Sequence, residues 1–158
     1  MTSHGDALVE ALLDASRSLL GIVIRSVQAA PVGVTIPQHR VLVLLEEGPL
    51  GVGAIAAELG VNPSNASRLC DRLQGMGLIR RRRSDQDRRT VLVDLTAGGR
   101  DNIAAVSAHR RAEISQLVAH LEGQGSPALV RALNEISDAA AELERTVTGR
   151  GRARSTSS

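Results

Sequence analysis

Hydrogen-bonding and cationic side chains are concentrated on one side of a predicted helix between Pro63 and Met76. The apolar residues of this segment recur at spacings of three and four, which predicts one buried face: Ala66, Leu69, Cys70, Leu73 and Met76. The polar residues must then face outward. Hydroxyl, amide and guanidinium groups near a helix N-terminus can hydrogen-bond base edges and phosphates in the major groove. We therefore predict DNA contacts from five of these residues: Ser64, Asn65, Ser67, Arg68 and Arg72.

A second cationic segment follows the helix. The run Arg80–Arg83 precedes a six-residue tip, Ser84–Arg89, and the alternation in Thr90–Thr96 predicts the partner strand of a β-hairpin. Successive strand residues point to opposite faces, so only half of the arginine run can face one surface. Arginine inserts favourably into a narrow minor groove. The predicted DNA contacts of this hairpin are Arg82, Arg83, Arg88 and Arg89, although the run alone could instead be a solvated edge strand.

The elements that position these residues form a recognisable order. A short helix, Ala54–Leu59, is followed by a turn, the polar-faced helix and the hairpin, which is the order of a winged helix-turn-helix. Gly60 can adopt the left-handed conformation that ends a helix, and Asn62 can cap the next helix with Pro63 at its first position. Gly75 and Gly77 then end that helix. Duplex DNA is therefore the leading partner.

Composition supports the same class of partner. The formal net charge is only +2, but residues 68–100 contain nine arginines against four acidic residues, whereas residues 1–67 and 101–148 each carry three more acids than arginines. The positive charge is thus concentrated in the predicted DNA-binding segment. The chain has no Phe, Tyr or Trp. Because proteins that bind single strands stack bases on aromatic rings, that class is excluded.

Other function classes lack their sequence signals. No segment has the length and purity of a transmembrane helix or the pattern of a signal peptide, which predicts a cytoplasmic protein without membrane contact. No phosphate loop, nucleophile elbow or close metal-ligand pair occurs, so no enzyme activity, cofactor or metal is expected. A zinc site assembled across a dimer is the alternative. Cys70 is interpreted as a small buried hydrophobe, with a redox sensor as the alternative.

Apolar residues near both ends predict a helical dimerisation platform. Towards the C-terminus they step by three and four: Leu129, Leu133, Ile136, Ala140, Leu143 and Val147. This seam is short, so we expect it to pack with an N-terminal helix, about Asp6–Ala29, that presents Leu8, Leu12, Leu19, Val23 and Val27. A helix of about Ala97–Leu121 connects the hairpin to the platform, with Gly123–Pro127 as the break. A two-fold DNA site needs two copies, which predicts a homodimer; an intramolecular core face is the alternative.

The run AIAAELGVNPSNASRLCDRLQGMGLIRRRRSDQDRRTVLVDLTAGG resembles the core of the MarR family of bacterial transcriptional regulators. Its most specific parts are the tip Asp87-Arg88-Arg89, the strand ending in Leu95-Thr96, and Leu73–Arg80 in the pattern Leu-x-x-x-Gly-Leu-Ile-Arg. The similarity extends over most of residues 6–148. It implies an obligate dimer on a pseudo-palindromic operator that usually represses a nearby gene and is often released by a small ligand or an oxidant.

Two positions depart from the family pattern. Gly51 stands where a Ser or Thr often caps the first motif helix, and His39 stands where an aromatic residue is common. Without aromatic walls, an effector pocket would be aliphatic with polar anchors. The resemblance implies a pocket between the platform and the DNA-binding lobe, with His39 and Arg40 as candidate anchors.

Two acidic residues lie within the otherwise cationic surface. An unpaired carboxylate facing phosphate would repel DNA, so Asp71 and Asp87 are expected to pair with arginines instead. The predicted partners are Arg72, Arg88 and Arg89. Such pairs would hold the hairpin at the angle needed for contact with both grooves.

The predicted fold is mainly α with a small β-hairpin wing: a winged helix-turn-helix lobe plus a helical dimerisation platform from the N- and C-terminal helices. Its segments are a disordered start (1–5), an N-terminal dimerisation helix and loop (6–35), the DNA-binding lobe (36–96), connecting and C-terminal dimerisation helices (97–148) and a disordered basic tail (149–158). The predicted function is dimeric, sequence-specific transcriptional regulation. The alternative is a winged-helix module for protein association or non-specific DNA packaging.

Overall fold

The computed structural model describes the backbone of residues 3–121 and 126–155 and the side chains of residues 5–121 and 126–143. The elements are α1 (Ser3–Gln28), α2 (Ile36–Leu44), a 3-10 turn (Leu45–Glu47), α3 (Val52–Leu59), α4 (Pro63–Gly75), β1 (Ile79–Arg83), β2 (Val91–Leu95), α5 (Ala97–Ala119) and α6 (Pro127–Ser155). This confirms the predicted mainly helical fold with one small hairpin. None of the helices, over the residues described, has an apolar stretch that could cross a bilayer.

The chain divides into two compact units, residues 1–116 and residues 117–158. The second unit comprises the end of α5 and the whole of α6. The core of the first unit lies between α2, α3, α4 and the hairpin, and its largest fully buried side chains include Leu42, Ile55, Leu73, Ile79 and Val93. Because α4 and the hairpin share one core, packing fixes their relative position.

Local signals set the geometry between α3 and α4. Gly60 ends α3 in the left-handed conformation with φ +67°, which a residue with a side chain rarely adopts. Asn62 is extended, and its side-chain oxygen accepts a 2.8 Å hydrogen bond from the backbone N–H of Asn65. Pro63 occupies the start of α4. These predictions are confirmed, as is the missing side-chain cap at Gly51, the residue before α3.

The two strands pair antiparallel, with Ile79 opposite Leu95 and Arg83 opposite Val91. Leu50 adds an isolated bridge on the other side of β2: its N–H donates to the carbonyl of Val93 at 3.0 Å, and Val93 donates back at 2.8 Å. The central part of β2 is therefore hydrogen-bonded on both edges. The base of the hairpin is thus fixed within the unit.

Two sequence-based expectations need correction in α4. Met76 was predicted on the buried face, but α4 ends at Gly75 and the Met76 side chain is 40% exposed. Met76 is the C-cap residue, so the helical period no longer determines which way its side chain points. Leu69 lies at the margin of the buried face and is only partly buried.

The disordered ends predicted at residues 1–5 and 149–158 stay a prediction, although the bounds of α1 and α6 include residues 3–5 and 149–155. Residues 1–2 and 156–158, and most of the predicted break at Gly123–Pro127, lie outside the described residues.

Candidate nucleic-acid interface

The first turn of α4 presents a locally organised set of polar groups. The Ser64 hydroxyl donates to the Asn62 side-chain oxygen at 2.8 Å, and an Arg68 guanidinium N–H donates to the Asn65 side-chain oxygen. Ser64, Asn65 and Arg68 are exposed, and Ser67 is half-buried. The positive end of the helix dipole adds positive potential at the same place. This end of α4 therefore suits an anionic, hydrogen-bonding partner.

Arg72 is exposed one turn further along α4. Within residues 5–121, its guanidinium has neither an ion pair nor a side-chain hydrogen bond. It is therefore available to an external anion. Its distance from the first turn favours a phosphate over a base edge as its partner.

The four consecutive arginines of β1 serve different purposes. Arg80 and Arg82 point to one face of the hairpin, where both pair with Asp94 at 3.2 and 3.6 Å, and Arg82 also pairs with Asp85 at 3.3 Å. Arg83 donates to the backbone carbonyl of Arg88 at 3.3 Å. Arg82 and Arg83, both predicted to contact DNA, are thus engaged in holding the hairpin together.

The tip presents the two remaining arginines. Arg88 and Arg89 are exposed, and neither guanidinium has an ion pair or a side-chain hydrogen bond among the described residues. Their backbone is held by a closed turn, in which the N–H of Ser84 donates to the carbonyl of Thr90 at 2.8 Å. An ordered backbone with two free cationic side chains is the arrangement expected of a wing that inserts into a groove.

Asp87 organises this turn, but not through the partners that were predicted. Its carboxylate accepts from the backbone N–H of Arg89 and from the Thr90 hydroxyl, both at 2.9 Å. The predicted pairing with the guanidinium of Arg88 or Arg89 is wrong. A short side chain two or three residues before its partners reaches backbone and hydroxyl groups more easily than long side chains that extend away.

Asp71 pairs with a partner that sequence reasoning missed. Its carboxylate accepts a 2.7 Å bond from Arg81, whose guanidinium also donates to the Gln74 side-chain oxygen at 3.0 Å. The predicted partners Arg72, Arg88 and Arg89 are wrong. Strand alternation was the available signal, because it places Arg81 on the face opposite to Arg80 and Arg82. The contact joins α4 directly to the hairpin, which is the role expected of such a pair.

The structure does not bring the two candidate effector anchors together. His39 is buried, at 7% exposure, whereas its neighbour Arg40 is exposed. Burial lowers the pKa of His39, and the nearby Arg110 guanidinium lowers it further. Its Nδ1 is buried without a hydrogen-bond partner. Adjacent helical positions point about 100° apart, so one small pocket cannot easily use both side chains.

A polar cluster between α1 and α5 was not foreseen. Arg25 binds Glu113 through two nitrogens, with the shorter distance at 2.5 Å, and His109 Nε2 lies 3.0 Å from the same carboxylate. The hydrogen bond from Arg25 lowers the pKa of Glu113, and the pKa of Arg25 is raised in return. Arg110 donates to the Ser26 hydroxyl at 3.2 Å. The Arg25–Glu113 and Arg110–Ser26 partners are 88 and 84 residues apart, and no local pattern connects them.

Cys70 is fully buried on the inner face of α4. Burial raises the pKa of its thiol, which keeps it in the unreactive protonated form. This favours the interpretation as a structural hydrophobe. Across the residues the structure describes, no group of three or more His, Cys, Asp or Glu side chains could hold a metal ion.

Val27, predicted on the dimerisation face of α1, is instead buried in the core of the first unit, and Val23 is partly buried. The leucine and isoleucine residues predicted to form the dimer are exposed in the single chain. On α1 they are Leu8, Leu12 and Leu19, and on α6 they are Leu129, Leu133, Ile136 and Leu143, with exposures from 37% to 67%. Each set lies in its own unit. Exposed apolar stripes of this length on two helices are typical of surfaces that are covered in an assembly.

Comparison with known proteins places this geometry in a family. Residues 32–90 match the model of the MarR family. Over 64 residues the chain is 44% identical to the uncharacterized HTH-type transcriptional regulator YfiV of Bacillus subtilis, covering 40% of each chain. Over 95 residues it is 30% identical to the HTH-type transcriptional regulator MgrA of Staphylococcus aureus, covering 53% of this chain and 65% of MgrA. The matched region is thus shorter than two thirds of these curated relatives.

Solved structures extend the similarity to most of the chain. RV1404 from Mycobacterium tuberculosis is 40% identical with a TM-score of 0.77, and the alignment covers 86% of this chain and 93% of RV1404. CouR from Rhodococcus jostii RHA1, solved with p-coumaroyl-CoA, is 25% identical with a TM-score of 0.65, covering 91% and 93%. Sco3205 from Streptomyces coelicolor, a MarR family regulator solved with DNA, shares the fold at 22% identity and a TM-score of 0.66, covering 90% and 88%. The chain belongs to the MarR family of transcriptional regulators.

Proposed function

We propose that the protein is a dimeric regulator that binds specific sites in double-stranded DNA and represses nearby genes. The observation that carries the DNA-binding part is the 2.7 Å contact between Asp71 of α4 and Arg81 of β1. It holds the polar end of α4 and the cationic tip of the hairpin in one fixed arrangement. Preorganised contacts to two grooves reduce the entropy lost on binding. The complex of Sco3205 with DNA is a precedent on the same fold.

Dimerisation is supported by the apolar side chains that α1 and α6 leave exposed. A second copy of the chain is the partner we propose for both surfaces, because a pseudo-palindromic site requires two-fold symmetry. Light scattering coupled to size-exclusion chromatography measures the mass directly. A monomer at micromolar concentration would contradict this part of the proposal.

Release by a small effector is the second part of the proposal. It is favoured by the buried His39 Nδ1, which lacks a partner, and by the ligand-bound structure of CouR. Because the chain has no aromatic side chains, we expect an aliphatic or anionic ligand with few polar groups. A thermal-shift screen of small organic acids, followed by DNA binding with each hit, tests it. If no compound alters both stability and DNA affinity, the protein represses without an effector of this class.

The test of the main proposal is in vitro selection of duplexes from genomic fragments. A regulator should enrich sites with paired half-sites and bind them on the order of 10³-fold or more tightly than unrelated duplex at the same salt concentration. The neighbouring genes then identify its targets. A packaging or protein-association module, the alternative, would enrich no common sequence and would show similar affinity for all duplexes.

A further inference from the structure

The turn that leaves α4 is bonded directly to the first turn of α5. Within this turn, Gly77 has φ +73°, and the N–H of Leu78 donates to the carbonyl of Leu73 in α4 at 3.0 Å. From the other side, the Thr96 hydroxyl donates to the carbonyl of Gly77 at 2.6 Å, and the Thr96 N–H donates to the carbonyl of Leu78 at 3.1 Å. Consecutive peptide groups therefore connect the end of α4 to the residue before α5.

Thr96 also begins α5. Its hydroxyl oxygen accepts a 3.1 Å bond from the N–H of Gly99, so one hydroxyl serves both the turn after α4 and the N-terminus of α5. This double use differs from an ordinary helix cap, which satisfies only its own helix. It leaves the first turn of α5 little freedom to pivot relative to α4.

Gly99 lets the two backbones come this close. A Cβ atom at this position would lie 2.1 Å from the carbonyl oxygen of Leu78 and 3.0 Å from Leu95 Cδ2. The neighbouring Gly98 faces no such obstacle, because its Cβ would be 3.6 Å from the nearest atom, the carbonyl oxygen of Gly77. The Leu78 carbonyl cannot move away without losing its bond from Thr96. A side chain at position 99 must therefore displace α5 or break the bond from Thr96 to Leu78.

We infer that Thr96 and Gly99 form a rigid joint that sets the direction of α5 relative to α4 and thereby the half-site spacing that the dimer recognises. This inference rests on the proposed function, in which α5 leads from the DNA-binding lobe towards the dimer contacts. Residues 97–116 form a lever about 30 Å long at 1.5 Å per residue. A tilt of about 6° at its base moves the other end by roughly 3 Å, close to the rise of one base pair. Both residues are positioning residues and need not contact DNA.

The experiment compares duplex selection by the wild type with selection by Gly99→Ala, Thr96→Val and the matched control Gly98→Ala. Both alanines are placed in the first turn of the same helix, but only the one at position 99 clashes with backbone, since the contact at position 98 is an ordinary van der Waals distance. Thr96→Val keeps the shape of the side chain and removes both hydroxyl bonds. Circular dichroism and thermal melting verify that each variant is folded, and Thr96→Val alone decides the test if Gly99→Ala does not fold.

We expect the wild type and Gly98→Ala to select the same spacing, whereas Gly99→Ala and Thr96→Val select a spacing that is shifted or broadened by roughly one base pair. The half-site sequence should stay the same, because the α4 side chains are unchanged. A purely structural role would lower affinity equally for all spacings, and that result in folded variants would overturn the joint alone. Failure of the wild type to enrich paired half-sites would overturn the proposed function and this inference with it.

Discussion

Two groups of polar contacts in the first unit are built over very different sequence distances. On α4 and the hairpin, the side-chain bonds join residues 1 to 14 positions apart. Between α1, the following loop and α5, they join residues 70 to 88 positions apart. The first group is exposed and orders the groups proposed to meet DNA. The second ties distant segments of the chain together. We therefore expect changes in the first group to alter DNA binding and changes in the second to alter stability.

The largest effect expected is that of Arg68→Ala on DNA affinity. Arg68 is bonded to Asn65 on the exposed side of α4, so it is held ready to contact a base or an adjacent phosphate. Its removal should weaken binding to the selected duplex by about 1 to 3 kcal/mol and change the preferred sequence, with little change in melting temperature. Fluorescence anisotropy at fixed salt measures the affinity. Arg40→Ala, which removes one exposed arginine from α2, is the matched control, and equal losses in both variants would assign the effect to net charge.

Asp87→Ala should lower affinity several-fold while leaving the melting temperature nearly unchanged. The carboxylate holds the wing turn through two hydrogen bonds, and its loss frees the backbone that presents Arg88 and Arg89. Removing an acid also makes the surface more positive, so simple electrostatics predicts tighter binding. Asp85→Ala provides the comparison, because it removes the same charge from the same tip but only an exposed pair with Arg82. If both variants bind more tightly at ordinary salt, the turn does not need Asp87.

Lowering the pH should reduce the stability of the protein through the buried side chain of His39. The folded protein holds His39 with a lowered pKa, whereas the unfolded chain takes up a proton near the ordinary value of about 6.5. The stability that the neutral imidazole provides is therefore complete above that pH and is lost as the pH falls below it. We expect the melting temperature to fall by a few degrees more between pH 8 and pH 5.5 in the wild type than in His39→Gln. Equal falls in the two proteins would show that His39 is not responsible.

The same difference in sequence distance explains what could be predicted. Gly60, Asn62 and Pro63 act within a few residues, so the cap and turn of the motif followed from their types alone. The Asp71–Arg81 contact is at the limit of what sequence patterns can predict, because finding it requires both the strand alternation and the exposed face of α4. The 2.1 Å obstruction at Gly99 and the bond from Arg110 to Ser26 depend on how whole elements pack, and no pattern within a segment contains that information.

Glu113→Gln has the smallest expected effect. It tests the second group of contacts, which joins α1 and the following loop to α5. The Glu113 carboxylate pairs with Arg25 and lies 3.0 Å from His109 Nε2. Because the Arg25 side chain is 57% exposed, screening by solvent keeps the contribution of the Arg25–Glu113 pair to stability small. Exposed pairs of this kind contribute little to stability. The hydrogen bond from Arg25 lowers the pKa of Glu113, so the contribution of this pair is complete above the ordinary carboxyl range and is lost in acid. Urea unfolding at pH 7 should therefore show a small decrease in the free energy of unfolding, while Glu135→Gln, at an exposed position on α6, shows none. The duplexes selected by Glu113→Gln should match those of the wild type in sequence and spacing, and a changed selection would mean that the α1–α5 contacts also act on the DNA-binding surface.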